Sequence, residues 1–333
     1  MNTILGELGK NPKFCEYIKT IESKKSPIAI SGLTDVGMTQ MISATREFAK
    51  RPILVITYNE IQAQKILKDI KYFTDKVYYL PKKEIVTYDY VAESKDLPYE
   101  RIETLNKMQE MRTGVVITTI EAVLQKMISK KALYKNTLNF KVGDSENLET
   151  IKQKLVELGY VRCDLIEGRG QFSVRGGIVD ISVNEKEGVR LEFWGDTIDS
   201  IRYFDVESQR SLEEINECEI RPYSEFINEK MIEDIPDYQK YLPYVVNEVS
   251  SLLSYVDDPL MIYKDYNQIK KSYKRLREEI FEYSSSKEEE YKTEYMHDFS
   301  SLEQNNNNIY LMTIDNVIDI KSINKIYNYS SRL

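Results

Sequence analysis

The first stretch able to do chemistry is SGLTDVGMTQ, residues 31–40. A phosphate-binding loop reads G-x-x-x-x-G-K-[ST], and Gly32, Gly37 and Thr39 fall on that spacing. In such a loop the glycines let backbone N–H groups converge on phosphate oxygens, the lysine neutralises the terminal phosphates and the hydroxyl ligates Mg²⁺. Here the lysine slot holds Met38, which has length but no charge. Asp35 adds a negative charge within the loop. Against a phosphate about 4–6 Å away, that charge costs on the order of 3–4 kcal/mol at an effective dielectric of about 20. Gly32, Thr34, Asp35, Gly37, Met38 and Thr39 thus keep the outline of a phosphate loop without its charge. A plain glycine turn between a strand and a helix is the competing reading.

The second half of a nucleotide site has a counterpart near the other end. IYLMTIDN, residues 309–316, is an apolar run that ends in Asp315. A Walker B aspartate helps hold Mg²⁺, and the acid that usually follows orients the attacking water. Asn316 stands in that place, and an amide cannot act as a base. No catalytic residue is expected, and the module calls for no cofactor.

Other chemistries lack their residues. The chain has one histidine, His297, and three scattered cysteines, Cys15, Cys163 and Cys218. A metal site or a Ser-His-Asp triad is not expected, and the cysteines fit a reducing compartment better than a disulfide framework. A net charge of −8 disfavours broad binding to a phosphate backbone, although Lys264–Lys274 could form a local basic patch. No stretch is apolar for long enough to cross a bilayer. MNTILGELGKNPKF has no basic region leading into an apolar core, so no secretory signal is expected.

These residues need elements to position them. A length of 333 residues suits about two or three domains. SPIAIS (26–31), RPILVIT (51–57) and KVYYLP (76–81) read as buried strands. They alternate with helices at 39–51, at 59–73 with Asn59 as N-cap, and at 97–114; GVVITTIEAVLQKM (114–127) is a further strand and helix. Alternation of this kind implies a parallel sheet covered on both faces. After about Lys130 the pattern changes. NLETIKQKLVELGY (147–160) reads as a helix, and 170–183 and 188–205 as antiparallel strands with a turn at Gly195-Asp196. Gly176-Gly177 reads as a bulge or bend. Beyond Glu219 the pattern is less legible, apart from a charged, largely exposed helix at 268–295 with a break near Ser284–Ser286.

Two stretches carry a family resemblance: GYVRCDLIEGRGQFSVRGGIVDIS (159–182) and RLEFWGDTIDSIRYFDVESQRSLEE (190–214). They resemble the bacterial transcription-repair coupling factors (Mfd), in which a GY-x-R, an F-x-x-RGG-hydrophobic-hydrophobic-D stretch and a QRS ending follow one another. The excision-repair protein UvrB has the same outline but a different ending and an intact phosphate loop. UvrB also has a long aromatic hairpin, whose counterpart at 83–100 is shorter here and keeps Tyr88 and Tyr90.

The resemblance implies an N-terminal UvrB-like module: a degenerate RecA-like α/β domain (1–125 and 216–333) interrupted by an inserted α+β domain with antiparallel strands (126–215). It implies a non-catalytic role in transcription-coupled nucleotide excision repair, in which the insert recruits UvrA in the bacterial cytoplasm. The parent would be an ATP-dependent translocase whose RNA-polymerase and double-stranded-DNA contacts lie in domains that would follow Leu333. The UvrA-facing residues it implies are Arg162, Phe172, Arg175, Gly176 and Gly177, with Ser173 where UvrB has an arginine. From the strand pattern alone, Arg175 should face solvent, and a surface ion pair with Glu192 is the alternative use for it. Trp194, beside the hairpin turn, reads as a shielded hairpin residue or as padding for a partner. The alternative for the whole chain is an active P-loop ATPase or helicase of the UvrB type that binds damaged DNA.

Overall fold

The computed structural model describes residues 3–83, 96–225, 249–285, 296–305, 307–313 and 323–329. The chain divides into two compact units. One comprises Met1–Asp89, Glu103–Lys126 and Ser251–Leu333, the other Tyr90–Ile102 and Met127–Ser250.

The first unit is built on a seven-stranded sheet. Its order is Lys325–Asn328, Ile28–Ser31, Asn308–Leu311, Leu260–Lys264, Pro52–Thr57, Gly114–Thr119, Val77–Leu80, and every neighbouring pair is parallel. Runs such as ILVIT become central strands because parallel strands bury side chains on both faces. All six residues of Pro52–Thr57 and of Gly114–Thr119 are buried. Ile28, Ile30, Ile53, Val55, Val115, Ile117, Ile262, Ile309 and Leu311 share one core with the helix Asp35–Ala49. The helix Glu60–Ile70 starts at its expected cap, with the Asn59 side chain accepting from Gln62 N at 3.0 Å.

Two details differ from the sequence reading. Leu260–Lys264, which that reading left unassigned, is a fully buried strand between Pro52–Thr57 and Asn308–Leu311. The strand expected over 309–316 spans Asn308–Leu311, and Met312 and Thr313 lie outside it. The helix expected at 268–295 is described as Tyr266–Ser285, with Tyr266 and Ile269 buried on one side. Tyr88 and Tyr90 lie outside the described residues.

The second unit carries a six-stranded sheet in the order Ser211–Ile215, Thr197–Asp205, Glu187–Trp194, Ile178–Ser182, Gln171–Arg175, Val161–Arg162. All pairs are antiparallel except the last. The helix Leu148–Glu157 lays Ile151 and Leu155 into a core with Phe172, Val179, Ile181, Val189, Leu191, Ile198 and Ile201. A second small sheet pairs Glu217–Ile220 with Leu138–Lys141. Gly195-Asp196 forms the expected turn. Gly176-Gly177, expected as a bulge or bend, instead forms a two-residue hairpin loop that brings Arg175 opposite Ile178. Gly176 takes φ +59°, a left-handed conformation that glycine adopts without a Cβ penalty. Register irregularities fall at Glu192/Phe193 and at Arg202/Phe204.

The fold is therefore an α/β parallel-sheet unit whose chain is interrupted by a unit with an antiparallel sheet. Among the described residues no helix is long and apolar enough to cross a membrane, and no cluster of His, Cys, Asp and Glu could hold a metal ion.

Candidate functional site

Two places collect the residues singled out by the sequence. The first is the turn after Ile28–Ser31. Gly32 has φ +81°, Leu33 and Thr34 follow, and the helix begins at Asp35. Gly37 therefore lies inside the helix, where its N–H is bonded to the Thr34 hydroxyl at 3.1 Å. Thr34 is the N-cap, so a side chain of the protein itself satisfies this donor at the helix start. Met38 is 1% exposed and belongs to the core. Thr39 is buried and its hydroxyl turns back to the Asp35 carbonyl at 3.2 Å.

Asp35 stands in the first helical turn, where the helix dipole favours an anion. Its carboxylate meets Lys65 Nζ at 2.6 Å and Lys264 Nζ at 3.2 Å. The hydrogen bond from Lys65 holds the Asp35 carboxyl below its ordinary range, with a smaller contribution from Lys264 and with burial opposing. Lys264 is 3% exposed, and its ammonium also reaches Gln62 Oε1 at 2.9 Å and Asp265 Oδ2 at 3.1 Å. Lys264 is thus a buried, neutralised cation at the end of its strand and adds nothing to a surface patch at 264–274. Burying an ammonium needs this density of partners. The strand Asn308–Leu311 runs parallel beside Ile28–Ser31, with Ile28 opposite Ile309. Asp315 and Asn316 lie outside the described residues.

The second place is the face of the six-stranded sheet opposite its core. Alternation puts Ser173 and Arg175, Asp180, Arg190 and Glu192, and Ser200 and Arg202 on this face. Asp180 is 1% exposed and is held by two guanidinium groups. Arg190 donates through Nε and Nη2 at 2.7 and 3.0 Å, and Arg175 through Nη2 at 2.6 Å. Arg175 itself is 49% exposed. It pairs with Asp180, whereas Glu192 accepts from Ser200 Oγ at 2.9 Å and lies 3.7 Å from Arg202. The sequence reading overlooked Asp180 and Arg190. Their signal was present in the alternation of VDIS and RLEF, which sets both residues on the polar side next to Ser173.

The remaining expected residues are not gathered at one point. Phe172 is fully buried, so it supports the strand from the core and offers no surface. Arg162 lies in the exposed edge strand opposite Phe172, which turns it to the other side of the sheet from Arg175. There its charge, after the stronger hydrogen bond from Lys152, helps lower the Glu149 carboxyl. Gly176-Gly177 sits at the open end of the wet face. Trp194, which a shielded hairpin position would bury, is 84% exposed.

Comparison with known proteins covers this same region. Residues 138–226 match the UvrB interaction domain family. The chain is 31% identical over 227 residues to the transcription-repair-coupling factor of Staphylococcus aureus strain bovine RF122 / ET3-1, a match covering 68% of this chain and 19% of that protein. The corresponding protein of Staphylococcus haemolyticus strain JCSC1435 is 30% identical over 230 residues, covering 68% and 20%. The chain thus spans about a fifth of the length of these curated relatives. Over 68% of its length the chain is thus similar to the transcription-repair-coupling factors, and within that similarity residues 138–226 match the UvrB interaction domain.

Proposed function

We propose that this chain is a non-catalytic docking module of transcription-coupled nucleotide excision repair, and that its insert binds UvrA. The observation that carries the reading is Arg175: half exposed, on a rigid strand, held by the buried Asp180 within the matched region. A pre-positioned guanidinium with free N–H groups is suited to a carboxylate on a partner. Arg162 at the sheet edge is the second cationic contact, Gly176-Gly177 lets the partner backbone approach, and Phe172 braces the strand.

The parallel-sheet unit serves as the frame. It is a RecA-like domain made of Met1–Asp89, Glu103–Lys126 and Ser251–Leu333, interrupted by the insert, and it does not bind or hydrolyse nucleotide. Support comes from the turn after Ile28–Ser31: Met38 is buried in the core, Thr34 caps the helix, and Asp35 sits where an anion would be drawn. In a full-length protein, an ATP-dependent translocase would bring this module to a stalled RNA polymerase on double-stranded DNA, and UvrA would be recruited in the bacterial cytoplasm.

The test is titration of purified UvrA against the wild-type chain and the Arg162→Glu/Arg175→Glu double variant, with thermal melts alongside. Binding should be lost while a cooperative melt is retained, since Arg190 still pairs with Asp180. Wild-type affinity in the double variant refutes the site, and wild-type binding of labelled ATP at millimolar concentration refutes the non-catalytic reading.

A further inference from the structure

The wet face of the insert ends in an unusual combination. Arg175, Ile178, Glu192 and Ser200 form one row across four strands. Trp194 lies two residues beyond Glu192 on the same side. The strands next to it there give way to Gly176-Gly177, which has no side chains to cover an indole. Gly177 also packs its backbone against the Trp194 strand: its carbonyl accepts from Phe193 N at 2.7 Å, and a Cβ on it would come within 2.9 Å of Phe193 O. A Cβ on Gly176 would meet nothing within 4 Å. The only tryptophan of the chain is therefore left bare at the glycine-turn end of the face, two strands away from Arg175.

Arg175 and Arg190 share a single carboxylate, Asp180, so this trio keeps one positive charge, and the exposed partner of the two is Arg175. Asp180 takes one Nη2 of Arg175 and leaves the rest of its donor fork free.

We propose that Trp194 is the aromatic anchor of the partner contact and that Asp180 is a positioning residue that holds Arg175 on the same face, two strands away. The inference rests on the UvrA-binding reading. Its occupant is a UvrA surface with an Asp or Glu carboxylate next to an aliphatic or aromatic side chain: the carboxylate pairs with Arg175, and the apolar group lies on the indole over the bare glycine turn. Exposed aromatics and arginines are the side chains from which binding hot spots are made.

The chain labelled with 5-fluorotryptophan gives a single ¹⁹F resonance, and unlabelled UvrA is titrated into it. The resonance should shift or broaden on saturation. In parallel titrations, Trp194→Ala should weaken binding about thirtyfold, as a hot-spot truncation does. Tyr134→Ala, which removes an aromatic that is 80% exposed on the helix Lys130–Lys135, should leave binding unchanged. Asp180→Asn should weaken binding about fivefold in the wild-type background and add nothing to Arg175→Ala, the coupling expected when one residue acts through another. An unmoved resonance with wild-type binding by Trp194→Ala overturns the proposal. If Arg175→Glu still abolishes binding in that case, the UvrA-binding reading stands without it. If Arg162→Glu/Arg175→Glu also binds like wild type, both fall.

Discussion

Replacing Met38 with lysine recreates the sequence of a phosphate loop, yet the fold predicts damage in place of function. Met38 is 1% exposed among Ile30, Leu33, Met41 and Ile42 in the main core. A lysine there keeps most of the apolar stem but brings an ammonium into a site with no carboxylate built for it. The group neutralises instead of ionising, because burial depresses a lysine pKa by up to about 3–5 units. Holding it neutral near neutral pH against an ordinary value of about 10.4 costs about 4–5 kcal/mol, at about 1.36 kcal/mol per unit. A domain is stable by only about 5–15 kcal/mol, so the variant is marginal. The sign of its pH dependence follows. The folded pKa lies below the unfolded one, so between the two values the unfolded chain binds more protons and stability rises with pH. Urea melts of wild type and Met38→Lys from about pH 6 to about pH 9.5 should show a large deficit that narrows toward the alkaline end. Labelled ATP should bind neither protein. A variant that melts like wild type at every pH and binds nucleotide would show that the side chain at 38 reaches the mouth of the turn, and the reasoning from burial would be wrong.

Other consequences are open to similar measurement. The Asp35 carboxyl is lowered by Lys65, so its contribution to stability is present above the ordinary value of 3.8 and is lost as pH falls through its folded value. Asp35→Asn should therefore melt earlier than wild type at neutral pH, with the gap closing under acid; a gap constant with pH refutes that role. Arg101 and Glu225 form an ion pair at 2.6 Å with both side chains 2% exposed, so Arg101→Met, which removes the counter-charge of a buried carboxylate, should cost about 3–5 kcal/mol in denaturant melts. A cost below about 1 kcal/mol would contradict it. At the hairpin loop, Gly176→Asn should be tolerated because the left-handed φ has open space around it, whereas Gly177→Ala should destabilise by about 1–3 kcal/mol because backbone must move. The reverse order in melting temperature would refute the placement of that turn.

The sequence made the frame legible wherever an apolar run met a capping signal. ILVIT before Asn59 and the Gly195-Asp196 turn are examples, since each is a local cause with a local effect. Leu260–Lys264 was harder to see because its last residue is a lysine, and only Asp35, Gln62 and Asp265, from three different segments, make that lysine compatible with burial. The wet face posed the same difficulty. Alternation correctly sends Arg175 outward, but the choice of Asp180 over Glu192 depends on the register of three strands. The exposure of Trp194 depends on a neighbouring turn that has no side chains, and no property of the tryptophan's own segment announces it.

The position of Ile28–Ser31 has a consequence for how the chain is made. Ile28 pairs with Ile309 on one side and with Lys325 on the other, 281 and 297 positions later. On a ribosome adding roughly 5–20 residues per second, this strand leaves the exit tunnel on the order of 15–60 s before either partner exists. Its two edges stay bare for that interval, while the hairpins at Gly176-Gly177 and Gly195-Asp196 close within their own short segments. A bare apolar strand is a template for pairing with other chains. Shortened versions that stop before residue 308 keep the docking insert but never cover that strand, and they should collect in inclusion bodies where the full 333-residue chain stays in solution.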